Sequence, residues 1–137
     1  MRDHRKLKAF ELADALVVAV YEGTKDFPVE ERWGLVSQMR RAAVSAPTNI
    51  VEGCARNTEN EYIHFLGQAL GSLRETGYLI DLSRRLRYLP ETAATSLLAA
   101  YEQAAATLAA LIRSLRGSTE HADRGASQSQ PRRAHHE

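Results

Sequence analysis

The sequence predicts an all-α protein, an antiparallel up-down-up-down four-helix bundle whose second helix is bent at Pro47. Two observations predict this fold. Apolar residues recur every three or four positions in four long segments, which is the period of a helix buried along one side. The connections between these segments are short, so that consecutive helices lie side by side in opposite directions. We therefore predict a bundle domain over residues 1–117 and a disordered polar tail over residues 118–137.

The first predicted helix runs from about Leu7 to Lys25. Between Leu12 and Tyr21 its apolar residues cover nearly every face, and a helix that is apolar all round is buried on more than one side. This pattern indicates a second burial partner, such as another subunit. The alternative is that the alanines of this segment simply face solvent; they are Ala13, Ala15 and Ala19.

The second helix is predicted from about Glu31 to Cys54, with Pro47 inside it. A proline in a helix interior removes one backbone donor and clashes with the carbonyl four residues back, at a cost of roughly 3 kcal/mol. We expect a bend between Ala43 and Pro47, with the freed carbonyl of Ala43 bonded to a hydroxyl or to water. Suitable local side chains are Ser45, Thr48 and Asn49.

Glycines and a cap mark the third helix. Thr58 and Glu61 fit a capping box at its start, and its apolar period continues toward Leu86. Gly67 and Gly71 lie inside this helix, and each costs roughly 1 kcal/mol against alanine, so close packing of a neighbouring helix is the simplest explanation for them. Gly53 is expected to let the chain leave the second helix.

The fourth helix is predicted to begin at Pro90, whose missing N–H does no harm in a first turn. Its apolar residues alternate spacings of three and four, as in the seam of a bundle, and Gly117 is expected to end it. The residues of the seam are Ala94, Leu97, Tyr101, Ala104, Leu108, Leu111 and Leu115. The segment beyond is rich in Ser, Gln, Arg and His, which predicts disorder.

Composition excludes several classes of protein. The single cysteine, Cys54, allows no internal disulfide and no cysteine cluster for a metal, so a reducing, cytoplasmic location is expected. No apolar run reaches the roughly 20 residues of a membrane span, and no signal-type core follows the charged N-terminus, so we expect a soluble protein without a membrane partner. The formal net charge of +1 gives no global indication of nucleic-acid binding.

Local basic clusters nevertheless make nucleic-acid contact a hypothesis. They precede or open the first helix, lie in the second and end the third, although arginines in a last turn also complement the helix dipole. The candidate residues are Arg2, Arg5, Lys6, Lys8, Arg40, Arg84, Arg85 and Arg87. No Arg-rich helix carries interleaved aromatic residues, so sequence-specific base recognition is not supported.

A second polar set is predicted to be structural. It contains Arg41, Asn49, Glu52, Arg56 and Glu75. A buried carboxylate must be paired, because its desolvation costs several kcal/mol. Arg41 and Glu52 are about three turns apart, so a pair between helices two and three, such as Arg41 with Glu75, is favoured. Such a pair would fix the register of the bundle or a subunit contact.

Enzymatic activity is not expected. Glu61 and His64 have the Glu-x-x-His spacing of di-iron bundles, but the chain has no second copy of the motif. Cys54 has no obvious base nearby and is expected to be a small buried residue. Because no phosphate loop or nucleophile elbow is present either, we predict no catalytic residue, no metal and no cofactor.

Several segments together resemble the four-helix-bundle family of 23S rRNA intervening-sequence proteins. They are Gly34–Ser45, Pro47–Gly53, and Glu61, Phe65 and Ala69–Glu75, within a match of about residues 6 to 115. Departures from the family pattern are Phe10, Val51 and Cys54, where tryptophan, alanine and phenylalanine are more usual.

The resemblance implies a protein encoded in insertions of some bacterial 23S rRNA genes or elsewhere. It implies a homo-oligomer, since similar bundles form pentamers and act as accessory proteins of diversity-generating retroelements. In those elements a basic surface is thought to contact nucleic acid and the reverse transcriptase. Two functions therefore remain open: an accessory bundle that binds RNA or DNA, or an oligomeric scaffold that binds a protein and no nucleic acid.

Overall fold

The computed structural model describes residues 2–127, which form α-helices and short 3-10 turns and contain no strand. The four helices are α1 (Lys8–Gly23), α2 (Leu35–Cys54), α3 (Glu59–Arg85) and α4 (Glu91–Ser127). The 3-10 turns are His4–Lys6 and Val29–Glu31. The all-α class predicted from the apolar period is confirmed.

Each helix packs mainly against two others, α1 and α3 both contacting α2 and α4, as in a four-helix bundle. The large side chains at the centre are fully buried, and burying each one stabilises the fold by roughly 1.5–3 kcal/mol. They include Leu16, Met39, Ile50, Leu66, Leu73, Ile80 and Leu108. The alternation of helix direction stays a prediction.

Pro47 lies inside α2, which runs through it as one helix. The polar side chains after Pro47 bond backward to carbonyls of the preceding turn. The Thr48 hydroxyl donates to the Val44 carbonyl at 2.7 Å, and the Asn49 amide donates to the Ser45 carbonyl at 2.8 Å. These bonds satisfy the carbonyls of Val44 and Ser45. Neither bond reaches the Ala43 carbonyl, for which the sequence predicted a partner. The bend itself stays a prediction.

The start of α3 follows the predicted cap in part. The Thr58 hydroxyl accepts the Glu61 N–H at 3.2 Å, which satisfies one of the free donors of the first turn. The Glu61 carboxylate is exposed and forms no hydrogen bond within the part of the chain that the structure describes. The capping box is therefore half formed.

The surroundings of the glycines differ from the close packing that was predicted for Gly67 and Gly71. Apart from the flanking residues and the nearby backbone of α3 itself, no atom lies within 4 Å of where a Cβ would stand at Gly67 or Gly71, so close packing of another helix of the subunit does not explain them. A Cβ at Gly77 would overlap the Tyr101 ring of α4, and one at Gly53 would lie 2.9 Å from a side chain of α3. Gly53 has no positive φ, so its role is close approach of α2 to α3 and not an exit from the helix.

The prediction that the fourth helix ends at Gly117 is wrong, because α4 continues to Ser127. A single exposed glycine costs only about 1 kcal/mol, which does not end a long helix. Hydroxyls just beyond it bond back to carbonyls of the preceding turn, Ser118 to Ser114 at 3.2 Å and Thr119 to Leu115 at 3.0 Å. Residues 118–127 are thus helical, and the rest of the predicted tail, residues 128–137, lies outside the described residues.

Among residues 2–127, α4 is the one helix that is long and apolar enough to cross a membrane by length and composition alone. A core helix of a bundle meets the same criterion. The largest apolar side chains of α4 that are buried are Leu97, Leu108 and Ile112, and α4 packs on α1 and α3. These contacts cover part of the helix, since 28% of its apolar window is buried within the bundle.

Candidate functional site

Three of the four candidate basic residues at the N-terminus already pair with carboxylates of the chain. The pairs are Arg2 with Glu59, Arg5 with Asp3, and Lys8 with Glu11. Arg2 also stacks on the Tyr62 ring, 4.0 Å from its centroid. Lys6 forms no ion pair with any described residue. This cluster therefore presents less free positive charge than its sequence suggests.

The arginines at the end of α3 are neutralised in the same way. Arg84 and Arg85 both contact Asp81, at 2.7 and 3.0 Å, and Arg84 also lies 3.6 Å from Glu91. The hydrogen bond from Arg84 holds the pKa of Asp81 below its ordinary value. Arg87 stands at a positive φ of 64° just after the helix and has no ion pair with any described residue. Only Arg87 of this group is an unpaired cation.

Arg40 is positioned by neutral groups only. Its Nε donates to the Thr24 hydroxyl at 3.0 Å, and its Nη2 donates to the Tyr21 carbonyl at 3.3 Å. The guanidinium also stacks on the Tyr21 ring, 4.5 Å from the centroid, a contact of about 0.5–2 kcal/mol. No carboxylate within residues 2–127 pairs with Arg40. A half-buried cation is thus held in one place without a counter-ion.

Arg40 forms one wall of a surface cleft between α1 and the start of α2, which we call the arginine cleft. Its volume is about 400 Å³. It contains three arginines and two aromatic rings, and no carboxylate is among its lining residues. The lining residues are Tyr21, Arg32, Trp33, Val36, Ser37, Arg40, Arg41 and Val44. None of the three arginines forms an ion pair with a described residue, so their charges add at one site.

The segment before α2 presents Trp33 to solvent. The α2 helix starts four residues later than predicted, at Leu35, whose N–H donates to the Glu31 carboxylate at 3.0 Å. The other carboxylate oxygen of Glu31 accepts the Tyr88 hydroxyl at 3.4 Å. Burial, and then the Glu31 charge, raise the pKa of Tyr88. These contacts fix the segment while Trp33 remains 86% exposed.

A second cleft of about 460 Å³ lies on the other side of Trp33. Trp33, Ser37 and Arg41 line both clefts, and the second contains one carboxylate, Glu75. Arg41 donates to the Ser37 hydroxyl at 3.5 Å, and no ion pair or hydrogen bond joins it to Glu75. The predicted Arg41–Glu75 pair is therefore not formed, since both side chains are exposed and can remain solvated.

The rest of the predicted polar set separates into local contacts. Arg56, just after the end of α2, lies 3.6 Å from Glu52 in the last turn of that helix, and both side chains are exposed. The Asn49 amide bonds Ser45, whose hydroxyl accepts from Ser72 of α3 at 2.9 Å. One polar link between α2 and α3 thus runs through two serines. The five predicted residues form no single network within the described chain.

Cys54 is buried, as predicted, with 2% of its surface exposed. Burial raises the pKa of its thiol, and burial is also the main cause that raises the pKa of the neighbouring Tyr62 to about 12.

His64 is exposed and its ring contacts Gln68 at 3.2 Å. Among residues 2–127 no three histidine, cysteine or acidic residues lie close enough to hold a metal.

Fold and site define a class of protein: a small all-α bundle whose most distinctive surface feature is a cleft of unpaired arginines and exposed aromatic rings. A family model described as "23S rRNA-intervening sequence protein" matches residues 5–110. The chain belongs to this family. No curated protein matches it.

A solved structure supports the fold. It is the crystal structure of a protein with unknown function from the S23 ribosomal protein family of Bacteroides thetaiotaomicron, with a TM-score of 0.71 and 20% identity. The similarity covers 76% of this chain and 97% of that one. At this identity the comparison shows the shared fold alone.

Of the cationic and aromatic residues of the arginine cleft, the sequence identified Arg40 and Arg41 but not Tyr21, Arg32 and Trp33. Tyr21 and Arg40 are 19 residues apart on different helices, so no local pattern joins them. One signal was available, because the only tryptophan of the chain stands in the polar segment Glu30–Gly34, outside the apolar stripes of the helices.

Proposed function

We propose that this protein is a non-enzymatic, homo-oligomeric bundle that binds RNA or DNA as an accessory protein. The observation that carries the proposal is the arginine cleft, where Arg32, Arg40 and Arg41 stand together without carboxylate partners. Phosphate groups are the natural counter-ions for such a cluster, because arginine binds them through paired N–H donors. The family description, which names 23S rRNA, is compatible with a role near nucleic acid.

The test is a titration of the full-length protein against labelled structured RNA and duplex DNA at 50 and 200 mM salt. Each neutralised phosphate contributes a slope of about −0.9 on a duplex or −0.7 on a single strand in the logarithm of affinity against that of salt. Three arginine contacts therefore predict a loss of about 20- to 40-fold between the two salt concentrations. Absence of binding at 50 mM salt would refute the proposal.

A matched pair of variants locates the binding surface. Replacing Arg32 and Arg41 by glutamine removes two unpaired cations from the arginine cleft. Replacing Arg84 and Arg85 by glutamine removes the same formal charge from arginines that are paired with Asp81. We expect the first variant to lose several-fold more affinity than the second. Equal losses would mean that only net charge matters and that the cleft is not the site.

A second function has an observation of its own. Val18, Tyr21, Val44 and Val51 are exposed on α1 and α2, with accessibilities of 38–61%. Exposed apolar side chains that share a surface often contact a protein. A scaffold that assembles with itself, or with a reverse transcriptase or another protein, would use this surface and need no nucleic acid. The titration separates the two functions, because both allow an oligomer and only the first predicts binding of RNA or DNA.

A further inference from the structure

We propose that the arginine cleft takes an unpaired nucleotide, with the base stacked on Trp33 and the phosphate bound by the arginines. This inference rests on the proposed nucleic-acid function and names the form of nucleic acid, a single-stranded segment. It starts from Trp33, whose ring is 86% exposed and is approached by one cation, Arg32, at 5.7 Å. The ring contributes little to the core, so the fold does not explain its presence.

The ring stands on a fixed support. The N–H groups of Arg32 and Gly34 donate to the carbonyls of Val29 and Glu31, at 3.1 Å each. The Glu31 carboxylate bonds the first N–H of α2 at 3.0 Å. The backbone on both sides of Trp33 is thus held by hydrogen bonds while its side chain is free. An exposed aromatic ring on a fixed backbone is an element on which a base can stack.

The charges decide where the phosphate lies. On one side of Trp33 the arginine cleft presents three arginines and no carboxylate, whereas the second cleft has one arginine, the shared Arg41, and the Glu75 carboxylate. A phosphate is attracted to the first side and repelled by the Glu75 carboxylate on the second. Arg40 is already immobilised by Thr24 and Tyr21, so it loses little conformational entropy on binding a phosphate.

The single-stranded form follows from the ring. In a duplex both faces of every internal base are covered by its neighbours, so a protein side chain stacks on a base only where the strand is unpaired. A phosphate cluster without an aromatic ring would suit duplex and single strand alike. The combination of Trp33 with three unpaired arginines therefore favours an unpaired segment, as in a loop or a single-stranded end.

The experiment uses the fluorescence of Trp33, which is the only tryptophan of the chain. Full-length protein is titrated with a 12-nucleotide oligo(U) and with a blunt 12-base-pair RNA duplex, and anisotropy of a label on each RNA reports binding independently. We expect oligo(U) to quench Trp33 on binding and the duplex to quench it far less. Binding of oligo(U) by anisotropy without quenching would overturn the inference while leaving nucleic-acid binding intact.

Variants give a second readout. Trp33→Ala should weaken oligo(U) binding by about 5- to 150-fold, the range for loss of one stacking aromatic residue, and Trp33→Phe should restore most of it. The control is Tyr78→Ala, which removes another exposed ring, 59% accessible, from α3 outside both clefts. Equal effects of the two alanine variants, or a loss of oligomer mass with unchanged affinity in Trp33→Ala, would overturn the inference. In the latter case Trp33 is a protein contact.

Discussion

Cys54 is a residue whose chemistry is set by burial. Its thiol is 2% exposed, and burial raises its pKa, while the thiolate is the reactive form. We expect iodoacetamide at pH 8 to alkylate the native protein at least about tenfold more slowly than the protein in guanidinium chloride. Mass spectrometry follows the reaction without ambiguity, since the chain has one cysteine. Equal rates in the two states would mean that Cys54 is accessible.

Tyr62 makes stability depend on alkaline pH. Burial raises its pKa to about 12 in the folded protein, against about 10 in an unfolded chain. Folding therefore favours the neutral phenol, so its contribution is complete below pH 10 and is lost as the pH rises through 12. A shift of two units corresponds to about 2–3 kcal/mol.

The corresponding variant is Tyr62→Phe, which has no proton to lose. We expect the wild-type free energy of unfolding to fall by about 2 kcal/mol more than that of the variant between pH 9 and pH 12. Urea denaturation at several pH values measures both proteins, and the titration of lysines and other tyrosines is common to the two. Parallel pH profiles would show that Tyr62 ionises normally.

At the scale of the helix, α3 contains glycines with opposite roles. Gly71 is exposed with no atom near its absent Cβ, so Gly71→Ala should stabilise the subunit by about 0.5–1 kcal/mol through helix propensity. Gly77 faces the Tyr101 ring, and a methyl group there would overlap it. Gly77→Ala should destabilise by about 1–3 kcal/mol, the usual cost of overpacking.

Thermal or urea denaturation of the two glycine variants measures this difference directly. The variants are matched, because the same methyl group is added to the same helix six residues apart. Destabilisation by Gly71→Ala at a protein concentration where the chain is oligomeric would contradict the prediction. It would place a second subunit against the exposed face of α3.

The sequence predicted the helices well and their details less well. The start of α3 was predictable because Thr58 bonds a backbone group three residues away, which is a local interaction. The apolar period identified all four helices for the same reason. The packing role of Gly77 was not predictable, because it depends on Tyr101 in another helix. The end of α4 was not predictable from Gly117, because a single exposed glycine costs only about 1 kcal/mol and the helix continues through it to Ser127.

The candidate site shows a similar division. Basic residues were found as clusters along the chain, but their partners lie elsewhere: Arg2 pairs with Glu59 across 57 positions. Sequence spacing cannot reveal which cations are neutralised in this way. Arg40 was predicted and remains unpaired, while Trp33, which completes the cleft, belongs to no periodic pattern. In the part of the folded chain that the structure describes, most of the predicted basic residues are paired with carboxylates, whereas the arginines of the cleft are not.

For the whole molecule, the small net charge of +1 conceals an uneven distribution. Most candidate cations at the N-terminus and at the end of α3 are paired within the subunit, whereas those of the arginine cleft are not. Within residues 2–127, a weak global field combined with the unpaired arginines of the cleft favours contact at the cleft over general attraction to polyanions. This distribution is compatible with binding of a short segment of nucleic acid.

Val18, an exposed apolar residue of α1 that does not line the arginine cleft, leads to a prediction about assembly. Val18 is 61% exposed on a helix whose sequence already indicated a second burial partner. If copies of the chain bury it, Val18→Glu places an unpaired charge in the interface, which weakens association by about 3 kcal/mol or about 100-fold. Light scattering on eluting protein should then show a shift toward the monomer.

Val29→Glu is the matched control for this prediction. Val29 is 74% exposed in the turn before α2, and its replacement makes the same change of charge and side chain. We expect it to leave the mass unchanged at the same protein concentration, and circular dichroism should show the same helix content in both variants. An unchanged mass for Val18→Glu, with the wild type oligomeric, would mean that the subunits meet through another face. A monomeric wild type would mean that this apolar surface is not covered by copies of the chain.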